Sequence, residues 1–272
     1  MKDLSLIIGL AACSFPAPAQ TLEARAAELA ALIRQVAAET DSARKTAAMT
    51  AFADAFAETL RRENAMDFAF DSIPYMGTLV SPDRKARMFT WNLPLNAGRH
   101  RYYGIVQYRI GKAVRTTVLH DVKDSLTVRA ERATLLNGDW FGALYYELLQ
   151  NKSGTQVYYT LLGYDFHAGA THRKLIDVLT FDGQGLPAFG APLFDNGRWK
   201  ASRVLLEYSA ATPFYLNYAR RKKMILFQRL ELAPLGDLPG RVPSGAFDGL
   251  LFRDGGWTLQ KDVAVTPDDF KR

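Results

Sequence analysis

At 272 residues, with 48% hydrophobic and 12% aromatic side chains, the chain carries enough apolar surface to bury a real core, which excludes a disordered segment. Thirty-four Lys and Arg against 28 Asp and Glu leave a formal charge of +6, a bias toward anionic surfaces such as acidic glycans or lipid head groups. One cysteine excludes a disulfide framework within the chain.

Residues 1–19 have the pattern of a signal peptide: Lys2, an apolar run over residues 4–15, then Ala17-Pro18-Ala19 with small residues at the positions a signal peptidase reads. Leu10-Ala11-Ala12-Cys13 also fits a lipobox, in which Cys13 becomes the lipidated first residue and anchors the chain to a membrane through its acyl groups. The spacing favours cleavage after Ala19. Both readings make the protein exported, periplasmic or secreted, with lipid anchoring as the alternative. The apolar run is too short to span a bilayer, and no later stretch reaches the roughly 18 uninterrupted apolar residues a transmembrane helix needs. Removing residues 1–19 takes away Lys2 and Asp3, so the positive balance belongs to what remains.

Residues 20–66 read as a helical hairpin. Over residues 21–63 there is no Pro or Gly, and Leu22, Ala26, Leu29, Ile33 and Val36 recur at helical spacing. Met49, Phe52, Phe56 and Leu60 form a second stripe, with Asp41 or Ser42 placed to cap its start and a turn near residues 40–42. Such stripes pack against a neighbouring layer.

Residues 67–272 read as an antiparallel β domain. Short aromatic and β-branched runs alternate with turn clusters: residues 88–93, 102–108, 114–119, 143–149, 157–162, 175–181, 204–208, 214–218 and 224–230, with turns at 151–154, 182–185, 195–197, 220–223 and 254–256. Parallel pairing needs long crossovers, and these connections are short. The fold class is therefore α+β: an N-terminal helical hairpin followed by a large antiparallel β meander, as a curved sheet, open barrel or sandwich. The pairs at Tyr102, Tyr158 and Phe214 recur at about 56 residues, too few echoes to close a propeller. Residues 121–139 lack periodicity and read as loop with a short helix.

Phe89-Thr90-Trp91-Asn92-Leu93-Pro94, Tyr102-Tyr103-Gly104, Trp140-Phe141-Gly142-Ala143-Leu144-Tyr145-Tyr146, Tyr159-Thr160-Leu161-Leu162-Gly163, Phe189-Gly190-Ala191-Pro192 and Glu207-Tyr208-Ser209 together resemble a family of uncharacterised exported proteins of Bacteroidetes-type bacteria, over residues 75–265. The resemblance implies export and one integral domain. It implies no reaction.

Motifs for familiar chemistry are missing or misplaced. Ser42-Ala43-Arg44-Lys45 and Lys152-Ser153-Gly154 match two elements of penicillin-recognising enzymes, but the third, Tyr215-Leu216-Asn217, follows in the wrong order, and the Lys-Ser-Gly falls in a turn. His-Glu-x-x-His, Walker A and Gly-x-Ser-x-Gly are absent, and nothing in the sequence asks for a cofactor. Nucleic acid is an unsuitable partner for an exported chain with no zinc-finger, RNP or helix-turn-helix pattern. Of four histidines, His167 and His172 lie near Asp165, a set able to ligate one ion if the intervening loop folds back. Glu147, Asp165, Asp177 and Glu207 sit on or beside expected strands, and any that faces inward is either bonded to a cation or functional.

Aromatic and basic groups together are the sharpest pointer. Trp91, Tyr102, Tyr103, Tyr145, Tyr146, Tyr158 and Tyr159 supply an aromatic platform, of which adjacent members point to opposite faces. With Arg99, Arg101 and the turn Arg220-Arg221-Lys222-Lys223, the exposed half favours stacking and charge recognition of an anionic glycan or envelope lipid surface. The functional expectation is an exported, envelope-associated binding or accessory protein, with a periplasmic hydrolase acting on glycan through a carboxylate pair as the alternative.

Overall fold

The computed structural model describes residues 20–270 except 168, 196–199 and 233–239. The signal peptide, the Cys13 lipobox and most of the turn at 195–197 lie outside the described residues.

Helix α1 (Leu22–Ala38) starts where Thr21 Oγ1 accepts the free Ala24 N–H, and α2 (Ser42–Leu60) where Asp41 Oδ1 accepts that of Arg44 at 2.8 Å. Between them Glu39 Oε1 accepts from the N–H groups of Thr40 and Asp41, which closes the turn. Both stripes are buried as their spacing requires, except that Leu22 is only half-buried. At the end of α2, Leu60 C=O has no partner inside the helix and accepts from Gln107 Nε2 instead. Asn64 then takes a left-handed turn (φ 62°) and the helical regime stops.

The first sheet has the order β1 (Gly77–Val80), β2 (Ala86–Pro94), β3 (His100–Ile110), β4 (Ala113–Asp121) and β5 (Asp139–Trp140). The second is built from β6 (Leu144–Ser153), β7 (Gln156–Asp165), β8 (Thr171–Phe181) and β9 (Pro187–Phe189). Strands β10 (Phe194–Asp195) and β11 (Lys200–Ala201) leave for the third sheet, and β12 (Val204–Ser209) returns to pair with β8. The third sheet, in the order β11-β10-β16-β15-β14-β13, is completed by β13 (Leu216–Ala219), β14 (Met224–Leu232), β15 (Arg241–Arg253) and β16 (Gly256–Gln260).

Alternation along the strands decides how the sheets stack. Phe89, Trp91 and Leu93 of β2 face the helical hairpin, where Phe56 meets Phe89 edge-on at 4.9 Å and Phe52 meets Trp91 at 5.5 Å. Ala86 and Met88 of the same strand face the second sheet, packing with Trp140, Tyr145, Leu161 and Leu175. Leu162, Ile176 and Val178 emerge on that sheet's far side and pack against Phe214, Leu216, Ile225 and Trp257 of the third. The result is a stack of hairpin, first sheet, second sheet and third sheet, joined by apolar layers.

Pairing is antiparallel throughout this stack except for two two-residue parallel contacts, β4 with β5 and β10 with β16, each made by a strand end too short to need a helical crossover. The meander expectation also needs amending in three places. The hairpin of β6 and β7 turns at Gly154 and Thr155, since Asn151 and Lys152 still pair with Tyr158 and Val157. Residues 123–125 and 130–132 form single 3-10 turns in place of one short helix. And β15, the longest strand, escapes the run of expected strands because Pro243, Gly245 and Gly249 dilute its pattern.

Candidate binding cleft

A cleft of about 520 Å³ opens where α2 overhangs the start of β3 and the end of β4. Thr50 and Asp54 come from the helix; Arg99, His100, Arg101, Tyr102 and Tyr103 come from β3 and the residue before it; His120, Asp121 and Asp124 come from the end of β4 and the turn beyond. Arg99 and Arg101 are exposed at its rim. The turn that delivers them is closed by Leu95 N–H donating to Arg99 C=O at 2.8 Å, and Asn92 Nδ2 lies 2.6 Å from His100 Nδ1 across the ladder.

The two tyrosines divide as alternation requires. Tyr103 lies flat against Trp91, with ring centroids 5.9 Å apart, and its hydroxyl is buried without a hydrogen-bond partner. Tyr102 is only 2% exposed: its hydroxyl accepts from Phe166 N–H at 2.7 Å, and Lys123 Nζ stands 3.8 Å from its ring centroid. Burial pushes its phenol far above the ordinary range. Tyr102 thus belongs to the wall and offers no open face for stacking. Trp91, buried behind Met49 and Phe52, offers none either.

At the cleft floor Asp121 presses against Gly142, whose positive φ of 68° and missing Cβ make room for the carboxylate. Burial pushes Asp121 up to about 6, outweighing the Lys123 ammonium 3.5 Å away. That ammonium also donates to Gly142 C=O at 3.1 Å and to Asp165 Oδ1 at 3.2 Å. From Asp165 the charges continue to alternate through Arg173 (4.0 Å) to Glu207 (2.8 Å), with His167 Nε2 3.6 Å from the Glu207 carboxylate. Burial works against the charge on Glu207, yet the bond and charge of Arg173 hold its carboxyl below the usual range. The row ends in a recess of about 350 Å³ beside Phe141, Arg173 and Leu205.

Asp165, His167 and His172 do not form a metal set. Asp165 Oδ1 is taken by Lys123 and by His167 N–H, His172 Nδ1 is bonded to Phe166 C=O at 3.0 Å, and the His167 ring turns toward Glu207. Among the described residues no three His, Cys, Asp or Glu side chains converge. The loop folds back, but onto Lys123 and Tyr102.

The basic turn is elsewhere. Arg220 leans on Glu147 (3.7 Å), Arg221 on Asp268 (2.5 Å) and Lys222 on Asp269 (3.6 Å), while Lys223 takes the left-handed turn position. Arg220 lines a different recess from the one Arg99 and Arg101 line. Each of the four strand carboxylates also has a cation: Glu147 with Arg220, Asp165 with Lys123, Asp177 with Arg203 and Glu207 with Arg173. No pair among them is left as two facing acids.

No family, curated protein or solved structure matches this chain. Its chemistry is carried by its own geometry. Asp121, Lys123 and Gly142 are the residues that sequence reasoning passes over. They lie at or just after strand ends, where periodicity is silent, and the one available signal is a short run of charges, Asp121, Lys123 and Asp124, directly after an apolar strand.

Proposed function

We propose that the protein is an exported, envelope-associated binding or accessory protein that holds an anionic glycan in the cleft beneath α2. The observation that carries this reading is the convergence of Arg99, Arg101 and Tyr103 on one cleft of ligand size. The arginines supply forked donors for carboxylate or sulfate groups, and the neighbouring Asp54 and Asp124 supply acceptors for hydroxyls. A ligand with both acidic groups and hydroxyls matches this mixed rim better than a bare anion does. The signal-peptide pattern supports export, and the overall positive charge supports approach to an acidic surface.

Retention of the mature protein on immobilised alginate and on anionic phospholipid vesicles tests it. Retention on alginate that disappears in the Arg99→Ser/Arg101→Ser variant is the expected result; unchanged retention overturns the assignment of the cleft, and binding to vesicles alone moves the ligand to a lipid head group.

A second reading, glycan hydrolysis, is favoured by one observation: Asp121 is a carboxyl of raised pKa at the floor of a cleft. Release of reducing ends from cell-wall glycan by the wild type but not by Asp121→Asn supports it; no release by either removes it.

A further inference from the structure

A second recess, of about 290 Å³, lies where the terminal strands of all three sheets meet: β1 of the first, β6 of the second and β13 of the third. Edge strands that meet ordinarily continue each other's ladder. Here β6 and β13 are stitched by side chains instead. The Tyr146 hydroxyl donates to Leu216 C=O at 2.7 Å, and a Glu147 carboxylate oxygen accepts Tyr218 N–H at 3.2 Å. The gap that these longer links leave is the recess.

Strand alternation forbids neighbours such as Tyr146 and Glu147 from sharing a face. A β-bulge lifts that restriction: Tyr145 pairs with Gly163 and Glu147 with the next residue, Leu162, so Tyr146 is the extra residue and both side chains line the recess. Bulges re-aim side chains in this way beside functional sites.

We propose that this recess is a saccharide-binding site for one unit of a neutral glycan, separate from the cleft under α2. Tyr218 and Phe270 give it aromatic surface, Phe270 being 38% exposed and held edge-on by Tyr215 at 5.0 Å. The apolar face of a pyranose stacks on such rings. Around them stand an acceptor, a donor and an amide that is both: Glu147, Arg220 and Asn217. Sugar hydroxyls donate and accept, so this mixed set satisfies them, while the Glu147 carboxylate beside Arg220 cancels the attraction a free arginine would have for an anion. Glu147 is positioned by its backbone partner, whereas Arg220 is solvent-exposed and able to swing over a bound ring.

Isothermal titration of the mature protein with neutral hexasaccharides of glucose (β-1,4 and α-1,4) and of N-acetylglucosamine tests this site. Saturable binding of at least one is expected, weakened tenfold or more by Phe270→Ala and by Arg220→Ser and unchanged by Arg99→Ser/Arg101→Ser. Melting curves of the variants matching the wild type show that they fold. No saturation by any of the hexasaccharides, or a loss that tracks the Arg99/Arg101 variant alone, overturns the proposal; alginate retention, which reads the other cleft, is scored independently.

Discussion

Arg203 Nε donates to Asp177 Oδ2 at 2.7 Å with both side chains wholly removed from solvent, and the Tyr145 hydroxyl donates to the same oxygen at 3.0 Å. Arg203 Nη1 also donates to Ala130 C=O, so the pair ties β8 to the 3-10 turn at Ala130–Arg132 and to the start of β12. Removing one partner leaves an uncompensated buried charge, about 3–5 kcal/mol, whereas an apolar replacement of both avoids that charge. Arg203→Met and Asp177→Leu should each lose stability of that order in urea unfolding, and the double variant less than the sum. Equal, additive losses under about 1 kcal/mol would show that the pair is not the anchor its burial implies.

Asp121 makes stability depend on pH. Its folded pKa, about 6, lies above the ordinary carboxylate value, so the folded state binds the proton more tightly than the unfolded chain. Its contribution to stability therefore falls as pH rises from about 4 to 6 and stays lower above it, by on the order of 2 kcal/mol. His100 and His167, held below the ordinary imidazole value by burial, and Glu207, despite its burial held low by Arg173, act in the opposite sense, so the effect is read as a difference: the melting temperature of Asp121→Asn should gain on that of the wild type as pH rises from 4 to 8. A difference between variant and wild type that stays constant or shrinks over the same window contradicts the assignment.

Lys123 compensates both Asp121 and Asp165, and the other cation near Asp165, Arg173, stands 4.0 Å from Oδ2 without a hydrogen bond to it. Lys123→Met keeps the length of the side chain and removes the charge. The variant should be destabilised at pH 7 by about 3 kcal/mol and should recover part of the loss as acid protonates Asp121. Parallel curves for variant and wild type across pH 4–7 would sink this account.

Gly142 and Gly154 both sit at positive φ, but only Gly142 is crowded: an added Cβ there meets the Asp121 carboxylate, and at Gly154 it meets nothing within 4 Å. Gly154→Ala should cost only the backbone strain, about 1–2 kcal/mol. Gly142→Ala should cost clearly more and should also weaken ligand retention at the cleft, because Asp121 and Lys123 must move. Comparable melting temperatures for the two variants would refute the difference.

Arg221 and Lys222 are engaged with Asp268 and Asp269. Replacing both by serine should leave alginate retention within about twofold of wild type, since such paired surface charges offer little net attraction. A large loss of retention would restore the basic turn as the binding surface.

The features legible in the sequence are those set by neighbours along the chain. Helical stripes with Asp41 as cap, most strand runs, and the in-and-out alternation of Tyr102-Tyr103, Tyr145-Tyr146 and Tyr158-Tyr159 depend on periods of 3.6 and 2; Tyr102, Tyr145 and Tyr159 are buried and their partners half-buried. The α+β architecture comes from the same local rules. Partnerships across the stack do not, because they join residues tens of positions apart through sheet order and register. Only the tertiary structure decided that Arg203 meets Asp177, that Lys123 meets Asp165, and that Arg99 and Arg220 line different recesses. A carboxylate's role is set by the charge and solvent around it, and those are properties of the assembled layers, not of the strand that carries it.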